Sequence, residues 1–577
     1  MATTPLIINE WNDAMGDSPN VGLGLVQNAS IDAVPGTVQP NYMPALNSFP
    51  TNHSQTFTWN VSGTCDLTSP DTVLQTDGVA VTFSTAGGGT LDSNITAGTI
   101  YFLYKFASGR VIIADTLGHA LSHNNLSLAG NGSGTCTVTT VDIGTVNSYA
   151  QGNDANGTNV AYFGDSNGRV WYSEGTTGTY LLNGNTITNG DGQGLCLFPV
   201  SDGSAIYLFV FRNATIDVCD VSTQSKRRDP VGNSCWTTAW ESLNSGAGSN
   251  AVHQALLGYD NIVYACDSRY IVSIQEVPGQ VFAPGSSGTY SYNSKALTLP
   301  ANDIAQCLEQ LGQDLLVGGG YTNLIYPWDR ISPSFDLPLL SPEVGIYGMK
   351  NIGNKVYILA GLRGIVYSTT GYLVTQVRKL PEHLFQSTSG GSNLITWGGV
   401  AAKNGAFMFG VSGLNGAAGI FLIYPDGRLI WENTPSQGQL LPRVLGNQSG
   451  EFYFSGYAGG VDLVSTNRYD TLGNSLVQSR LYNVGTRFEK TTYSILECQL
   501  DQPGGSGGQI RISYRTGVTG SFTTLATYTL DGTTTSFDSD VGLIDIENIQ
   551  IQVEVASVAN GASGTSAARV REVRLLP

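Results

Sequence analysis

A short pattern of apolar and polar positions recurs seven times between about residues 155 and 475 of this chain. Each copy is an aromatic or aliphatic run, a tight turn rich in Gly, Asp or Asn, and a second apolar run. Short apolar runs bounded by turn residues are typical of buried β-strands. The paired runs are 160–163 with 170–172, 206–209 with 216–218, 262–265 with 270–272, 315–318 with 324–326, 356–358 with 364–367, 407–409 with 420–424, and 452–454 with 461–464.

The spacing of these hairpins indicates an architecture. Successive copies begin roughly 41 to 56 residues apart, which is about the length of one four-stranded propeller blade. We therefore expect residues 144–476 to form a β-propeller of about seven blades, with each hairpin supplying the two middle strands of a blade. Six or eight blades would also fit the spacing, and the alternative is a string of hairpins in two sandwiches.

The segments on either side of the repeats have different patterns. Residues 1–53 are rich in turn residues and predict an N-terminal arm that contributes to the propeller or to assembly. Residues 54–143 are rich in Thr, Ser and Gly and alternate apolar with polar positions, which predicts a small inserted β-sandwich. Its expected strands include residues 79–83, 100–104, 110–114 and 136–139.

The last part of the chain, residues 477–577, predicts a further β-sandwich of the jelly-roll or immunoglobulin type. Its clearest strand places Ile549, Ile551, Val553 and Val555 on one face and polar residues on the other. This alternation has the period of two that a half-buried strand requires. Together the patterns predict an all-β chain.

Composition and charge narrow the function classes. Of the 577 residues only 12% are charged, 72 are Gly, and the formal net charge is −17. An acidic chain with few Lys and Arg is unsuited to wrapping nucleic acid, which needs clustered positive charge. An acidic wall would suit a conduit that DNA must pass without sticking, although solubility alone explains the same charge.

We expect neither a signal peptide nor an apolar run long enough to cross a membrane. Residues 1–10 lack a basic start followed by an apolar stretch. We expect no membrane-spanning segment, and a location in the cytoplasm or inside an assembled particle.

Metal and disulfide chemistry is not indicated. The eight Cys form no C-x-x-C pair, which favours buried thiols over a zinc site or a disulfide framework. Cys65 and Cys136 end the same tetrapeptide, Ser-Gly-Thr-Cys, so a bond between them stays open. His119 and His123 lie four apart in an expected loop, 117–125, without an accompanying Glu.

Two loops have spacings that resemble known sites. Asp154, Asn156 and Thr158 alternate as calcium ligands do, but no Glu stands at the twelfth position, so a simple loop is favoured. Residues 504–508 match Gly-x-Ser-x-Gly, but a nucleophile elbow needs a strand before it and a helix after it. A strand follows here, which favours a flexible hairpin loop.

Carboxylates follow several of the repeated strands, as a propeller glycosidase would require. Asp165, Asp267 and Asp329 are the candidates, yet Asp165 stands in an Asp-Ser-Asn-Gly turn, where Asp is expected to bind the backbone. The sequence therefore predicts no catalytic residue, no cofactor-binding residue and no metal ligand, and a protein that is not an enzyme.

One segment, residues 327–338, stands out as a candidate protein-contact loop. It combines three Pro, two aromatic residues and an Asp-Arg pair. Pro opposes regular strand pairing, and aromatic residues with Arg are enriched where proteins bind each other. The alternative is a loop folded on itself. The candidate contact residues are Pro327, Trp328, Asp329, Arg330, Phe335 and Asp336.

Several of these segments resemble tailed-bacteriophage virion proteins. The opening, residues 17–24, 28–32 and 35–36, is similar to the start of such proteins, and so is the loop Pro-Trp-Asp-Arg-Ile-Ser-Pro-Ser-Phe-Asp-Leu-Pro. Residues 78–83 and 97–101 resemble a small β module of phage tail and fibre proteins. The layout of propeller and terminal sandwich is similar to that of nozzle or tail-hub proteins of short-tailed phages.

The resemblance implies a structural protein of the virion tail. Nozzle proteins form a hexameric ring on the DNA channel, below the portal and its adaptor. The expected partners are copies of the same chain, the portal adaptor and tail fibres, with transient contact to passing DNA. The inserted module departs from the simplest nozzle layout. The alternatives are a host-attachment protein, which binds a surface sugar or protein, and a propeller depolymerase.

Overall fold

Nearly all regular elements of the computed structural model are β-strands, which confirms the all-β class. The described residues are 5–9, 25–27, 29–30, 39–40, 45–47, 53–60, 64–85, 88–174, 179–182, 194–230, 232–245, 253–381, 395–414, 417–433, 443–448, 451–455, 461–465, 475–486, 489–517, 520–556 and 568–577. The first strands are β1 (Leu6–Ile8), β2 (Leu25–Gln27), β3 (Ala29–Ser30), β4 (Gln39–Pro40) and β5 (Ala45–Asn47).

The inserted module comes next along the chain. It consists of β6 (Ser54–Trp59), β7 (Cys65–Leu67), β8 (Val79–Ser84), β9 (Ile100–Ala107), β10 (Arg110–Ala114), the helix α1 (Leu117–Leu121) and β11 (Thr135–Thr140). These strands form a closed barrel in the order β10-β7-β6-β11-β8-β9, where two facing sheets were expected. The barrel closes because β10 pairs with β7 as well as with β9.

The first three blades are four-stranded antiparallel sheets. Blade 1 is β12 (Val146–Asn153), β13 (Asn159–Asp165), β14 (Val170–Ser173) and β15 (Thr179–Leu181). Blade 2 is β16 (Gly194–Pro199), β17 (Ile206–Phe211), β18 (Thr215–Asp220) and β19 (Trp236–Ser242), with α2 (Gln224–Arg228) between its last two strands. Blade 3 is β20 (Ala255–Leu257), β21 (Val263–Asp267), β22 (Tyr270–Glu276) and β23 (Tyr290–Thr298).

Four more sheets of the same kind follow. Blade 4 is β24 (Ala305–Leu311), β25 (Asp314–Gly319), β26 (Leu324–Trp328) and β27 (Leu339–Leu340), and blade 5 is β28 (Ile346–Ile352), β29 (Lys355–Ala360), β30 (Ile365–Thr369) and β31 (Val374–Lys379). Blade 6 is β32 (Thr396–Lys403), β33 (Ala406–Leu414), β34 (Ala417–Ile423) and β35 (Leu429–Asn433), and blade 7 contains β36 (Arg443–Gln448), β37 (Glu451–Ser455) and β38 (Val461–Ser465).

The hairpins predicted from sequence are the second and third strands of these seven sheets, which confirms the propeller. Middle strands are covered by neighbouring blades on both faces, so they read as continuous apolar runs. In blade 1, for example, all four residues of β14 are buried. First and fourth strands are more exposed and gave a weaker pattern.

The seventh blade is completed by the N-terminal part of the chain. β5 pairs with β38 as its fourth strand, with Val461 opposite Asn47. Along the chain, the barrel follows β5 and precedes β12, the first strand of blade 1. The first and last blades are thus joined by one continuous segment.

The C-terminal unit consists of β39 (Ser475–Gln478), β40 (Tyr482–Asn483), β41 (Thr491–Gln502), β42 (Gln509–Arg515), β43 (Thr523–Thr529), β44 (Ser536–Ile546), β45 (Asn548–Ala556) and β46 (Arg569–Leu576). One sheet has the order β1-β46-β41-β44, and the other contains β2-β39-β45-β42-β43. Each sheet therefore includes an N-terminal strand. β2 also pairs with β35, which attaches this unit to blade 6.

The strand β45 differs from its sequence pattern on one face. Ile549 and Ile551 are buried as expected, but Gln550 and Gln552 are buried too. The Gln550 amide donates to the Ser479 carbonyl at 2.7 Å and its oxygen accepts from Arg515 Nε at 2.7 Å. Hydrogen bonds thus allow polar residues to occupy a covered face.

The barrel packs directly against blade 1. Phe102, Tyr104 and Leu117 of the barrel share one apolar cluster with Tyr162 and Tyr172 of the blade. The helix α1, where a loop was expected, is capped by Thr116, whose hydroxyl accepts from the His119 backbone N–H.

A buried ion cluster joins blades 1 and 2. Arg227 of α2 is fully buried and lies 2.9 Å from Asp154 and 2.7 Å from Glu174, both of blade 1. It also donates to the Val221 carbonyl at 2.9 Å. Within the described residues, no helix is long and apolar enough to span a membrane.

Replacing Arg227 with Ala should lower the free energy of unfolding by about 3–5 kcal/mol, because Asp154 and Glu174 would lose the buried cation that they share. Urea denaturation followed by tryptophan fluorescence measures the loss. Arg228→Ala in the same helix is the control, since its guanidinium is partly exposed and 3.7 Å from Glu174. A change below about 1 kcal/mol is expected there. Equal losses in both variants would contradict the assignment.

Candidate protein-contact surface

The antiparallel blades give the propeller two faces. Turns between first and second strands, and between third and fourth strands, lie at one end of each blade, which we call the lower face. Turns between second and third strands, and the connections from blade to blade, lie at the other end, which we call the upper face. Side chains from different blades come together on a face because their loops are neighbours.

The predicted contact segment begins inside a strand. Pro327 and Trp328 belong to β26, and Pro327 lies opposite Leu316 of β25. The outer strand β27 pairs only with Leu324 and Ile325. The rest of residues 327–338 form the loop between third and fourth strands on the lower face of blade 4.

Two aromatic residues of this segment hold it against the propeller. Trp328 is buried, packs edge-on against Tyr264 of blade 3 at a centroid distance of 5.7 Å, and donates its indole N–H to the Ser332 carbonyl at 2.6 Å. Phe335 packs against Tyr326 at 4.7 Å. The loop therefore folds back over the end of its own blade.

Asp329 makes a local turn. Its carboxylate accepts the Ile331 and Ser332 backbone N–H groups at 2.9 and 2.7 Å and the Ser332 hydroxyl at 2.7 Å. The Ser332 hydroxyl and backbone bonds, with that of Ile331, lower the pKa of Asp329. The side chain stays ionised and fixes the first turn of the loop.

Arg330 connects two blades. It adopts a left-handed backbone conformation with φ of 67°, donates Nη1 to Asp260 of blade 3 at 2.7 Å, and donates Nε to the Gln313 carbonyl at 3.0 Å. Asp260 also accepts the Tyr264 hydroxyl at 2.9 Å. Arg330 thus fixes the loop to the neighbouring blade.

These contacts agree with the alternative that the loop folds on itself, and its role in protein contact stays a prediction. Trp328, Arg330 and Phe335 are engaged within the propeller, whereas Asp336 is exposed. The apolar side chains that the segment presents to solvent are Ile331, 91% exposed, and Leu337, 88% exposed. Sequence reasoning did not single them out, because aliphatic residues carry no sign of exposure.

Neighbouring loops add three more exposed apolar residues. Tyr259, of the first turn of blade 3, donates its backbone N–H to Gln310 Oε1 of blade 4 at 3.2 Å. The turn at 370–373 lies beside Leu311 of blade 4. The set that we call the lower patch is Tyr259 (79% exposed), Ile331, Leu337, Tyr372 (91%) and Leu373 (66%).

The carboxylates after the blade strands bind the backbone. Asp165 is fully buried and accepts the N–H groups of Gly144, Asn167 and Arg169, each at 2.9 Å, and the Trp171 indole N–H at 3.0 Å. Its predicted turn role is confirmed.

Asp267 and Asp329 do not join Asp165 in one site. Asp267 is buried at the upper end of blade 3, where it accepts the Ser245 backbone N–H at 3.0 Å. Asp329 lies on the lower face. The three candidate carboxylates are therefore in separate places, each engaged in a turn or connection.

The calcium-like loop is engaged in the blade 1–blade 2 contact. Asp154 accepts the backbone N–H groups of Asn156 and Thr158 at 2.9 and 2.8 Å through one oxygen, and Arg227 through the other. Although burial opposes it, the Arg227 hydrogen bond lowers the pKa of Asp154. The description of this segment as a simple loop agrees with these contacts.

The two histidines spaced by four do not face one ligand. His119 lies 2.6 Å from Asp115, and His123 lies 2.9 Å from Asp77. Across the part of the chain that the structure describes, no group of three or more His, Cys, Asp or Glu could hold a metal ion.

All eight Cys are free and buried. Cys65 and Cys136 flank the same barrel strand, opposite Trp59 and Phe57, without forming a disulfide. Burial raises the pKa of the Cys65 thiol, so it stays protonated and unreactive at neutral pH.

The Gly-rich loop at 504–508 connects β41 with β42, which belong to different sheets of the C-terminal unit. It is therefore a crossover between sheets and not the hairpin loop that was expected. A strand follows it, as predicted, and the helix of a nucleophile elbow is missing at 509–515.

Ser245, His253 and Asp267 lie close together between blades 2 and 3, a combination known from hydrolases. The Ser245 hydroxyl lies 3.4 Å from His253 Nε2, but the other contacts differ from those of a catalytic triad. His253 Nδ1 contacts the Cys266 carbonyl at 2.7 Å instead of a carboxylate, and the Ser245 hydroxyl donates to the Asn213 carbonyl at 2.7 Å. Sequence reasoning missed this group because no motif links its members.

No family model matches this chain, and no curated protein matches it. Slightly more than half of this chain is similar to nearly the whole of several solved chains. The Cps50 (Swd1) β-propeller domain of Myceliophteria thermophila has 12% identity over 57% of this chain and 98% of its own, with a TM-score of 0.38. YCF48 bound to D1 peptide has 8% identity over 57% and 94%, and U3-55K has 10% over 56% and 95%, both with TM-scores of 0.38.

Two substitutions in the lower-face loop should distinguish a side chain that stabilises the fold from one that is only exposed at the surface. Arg330→Ala should lower the free energy of unfolding by about 1.5–3 kcal/mol, because hydrogen bonds of a charged group are lost. Ile331→Asp should change it by less than about 0.5 kcal/mol, since the side chain is exposed. Urea denaturation compares the two. A large loss in Ile331→Asp would mean that Ile331 packs within the fold.

His253 should make stability depend on pH. Burial lowers the pKa of His253, although the Cys266 carbonyl and Asp267 act in the other direction. The unfolded imidazole, with a pKa near 6.5, therefore binds its proton at a higher pH than the folded one. The contribution of the neutral, buried His253 to the free energy of unfolding is therefore complete above about pH 6.5. It is lost as the pH falls below that value.

The measurement is the free energy of unfolding between pH 8 and 5.5. Its slope below pH 6.5 should be smaller in His253→Gln than in the unsubstituted chain. The data at pH 8, where the imidazole is neutral in both states, show the cost of the substitution itself. Identical slopes would contradict the assignment.

Proposed function

We propose that this chain is a structural component of the tail of a tailed bacteriophage, in the position of a nozzle or tail-hub protein. The observation that carries the proposal is the lower patch, whose five apolar side chains are 66% to 91% exposed on loops of blades 3, 4 and 5. Exposed apolar residues clustered on a monomer are typical of a protein-contact site. The segment resemblances to virion proteins supply the setting.

A scaffold role is consistent with the chemistry of the loops. The candidate carboxylates serve as hydrogen-bond acceptors for backbone and indole N–H groups. Buried ion pairs such as Arg227 with Asp154 hold neighbouring blades in place. These features favour a rigid building block over a depolymerase.

The acidic charge fits a protein that lines a DNA conduit. A net charge of −17 opposes adhesion of the phosphate backbone. In this proposal the conduit is formed by several copies around the tail axis. The hole of a single propeller is not required to pass DNA.

Host attachment is the second candidate, and a specific observation favours it. Tyr259 and Tyr372 expose their rings on the same face, and exposed aromatic rings can stack on sugars. Stacking on sugars does not explain the exposure of Ile331, Leu337 and Leu373, because aliphatic side chains gain little affinity from contact with polyols. Their presence beside the tyrosines favours a protein partner.

The position of the chain in a virus particle tests the proposal. Antibody against the purified chain, or a reconstruction of the particle, should place several copies in a ring around the tail axis. A location only at the tip or periphery of the tail would support attachment instead. Absence from particles would overturn the proposal.

Loss of length of a host polysaccharide after incubation with the purified chain would show depolymerase activity. We expect no shortening.

A further inference from the structure

A second exposed apolar surface lies on the upper face of blades 4 and 5. The connection after β27 is hydrogen-bonded to the hairpin turn of blade 4, from the Gly345 N–H to the Thr322 carbonyl at 2.8 Å. The hairpin turn of blade 5 joins it through the Leu362 N–H and Glu343, at 3.1 Å. The set that we call the upper patch is Tyr321 (68% exposed), Leu340 (65%), Val344 (61%) and Leu362 (36%).

The upper patch has basic neighbours. Arg363 is exposed in the hairpin turn of blade 5, next to Leu362. On the blade 3 side, Arg269 and Lys295 lie over the Tyr270 ring, at 5.5 and 4.9 Å from its centroid. Asp303 and Glu343 lie nearby and accept the Tyr326 and Tyr367 hydroxyls, so the three cations stand beside two carboxylates.

The lower patch has acidic neighbours. Asp314, Asp329 and Asp336 all belong to the lower end of blade 4. Arg330 is neutralised by Asp260. Lys355, exposed at the start of β29 in blade 5, is a cation at the same end.

We propose that the lower patch of one copy binds the upper patch of a second copy of this chain, head to tail. The same three blades thus present an acidic-edged apolar surface at one end and a basic-edged apolar surface at the other. Apolar contact supplies affinity, and complementary charge selects the orientation. Two lower patches would instead bring like charges together, which disfavours a symmetric dimer.

A contact between two different surfaces repeats from copy to copy. Such heterologous contacts close into a ring when the rotation per copy divides a full turn, and otherwise grow into open filaments. The inference deepens the proposed function, because a nozzle protein is expected to form a ring. It concerns the chain alone, however, and does not depend on where the chain lies in a particle.

Mixing of two variants tests the contact. The lower variant carries Ile331→Asp and Leu337→Asp, and the upper variant carries Leu340→Lys and Val344→Lys. All four side chains are exposed, so both variants should fold, as circular dichroism and thermal unfolding can verify.

Native mass spectrometry and light scattering measure the assembly. The unsubstituted chain should form assemblies, and each variant alone should bind itself at least about 100-fold more weakly. An equal mixture should form a one-to-one dimer, because each variant retains the surface that the other lacks. Ile544→Asp, an exposed apolar residue on β44, is the matched control and should assemble normally.

Three outcomes would overturn the inference: an unsubstituted chain that stays monomeric, variants that assemble as well as the unsubstituted chain, or folded monomeric variants that do not pair on mixing. A contact between like surfaces would instead leave one of the two variants assembling like the unsubstituted chain. None of them bears on the location of the chain in a particle, so failure here and failure of the proposed function are distinguishable.

Discussion

Closure of the chain on itself is the constraint on which the rest of this structure depends. β5 pairs with β38 to complete the seventh blade, and β1 pairs with β46, Leu6 lying opposite Leu575. Without these pairings, β38 and β46 would each present an unpaired edge to solvent. The entropy lost in joining distant segments grows only slowly with their separation, so pairings across nearly the whole chain are affordable. They fix the positions of the barrel and the C-terminal unit relative to the blades.

Within the closed ring, two arginines hold neighbouring blades together through the same kind of contact. Arg227 reaches from the loop between third and fourth strands of blade 2 to Asp154 in the first turn of blade 1. Arg330 reaches from the corresponding loop of blade 4 to Asp260 in the first turn of blade 3. The fork of the guanidinium can bind a carboxylate and a carbonyl at once, as both residues do. Loops fixed in this way can hold exposed side chains with little loss of freedom on binding.

The sequence reveals the middle of each blade and much less of its edges. The two central strands are covered on both faces, so runs such as 206–209 are apolar without interruption. Barrel closure was not predictable from alternation, because β10 has the same pattern whether or not it also pairs with β7. The type of a residue also does not reveal whether its side chain points into the core or toward solvent. Trp328 was an obvious candidate for contact and is buried, whereas Ile331, three residues later, is almost wholly exposed.

The net charge of a sequence likewise does not reveal where the charges lie on the folded surface. That distribution matters most for assembly. A net charge of −17 describes a chain that should repel its copies at long range. Salt screens this repulsion within about 10 Å, whereas charges at a contact act over much shorter distances. What decides association is therefore the local distribution, and the fold places Asp314 and Asp336 at one end of blade 4 and Arg363 near the other. The proposed head-to-tail contact depends on this local distribution and not on the net charge.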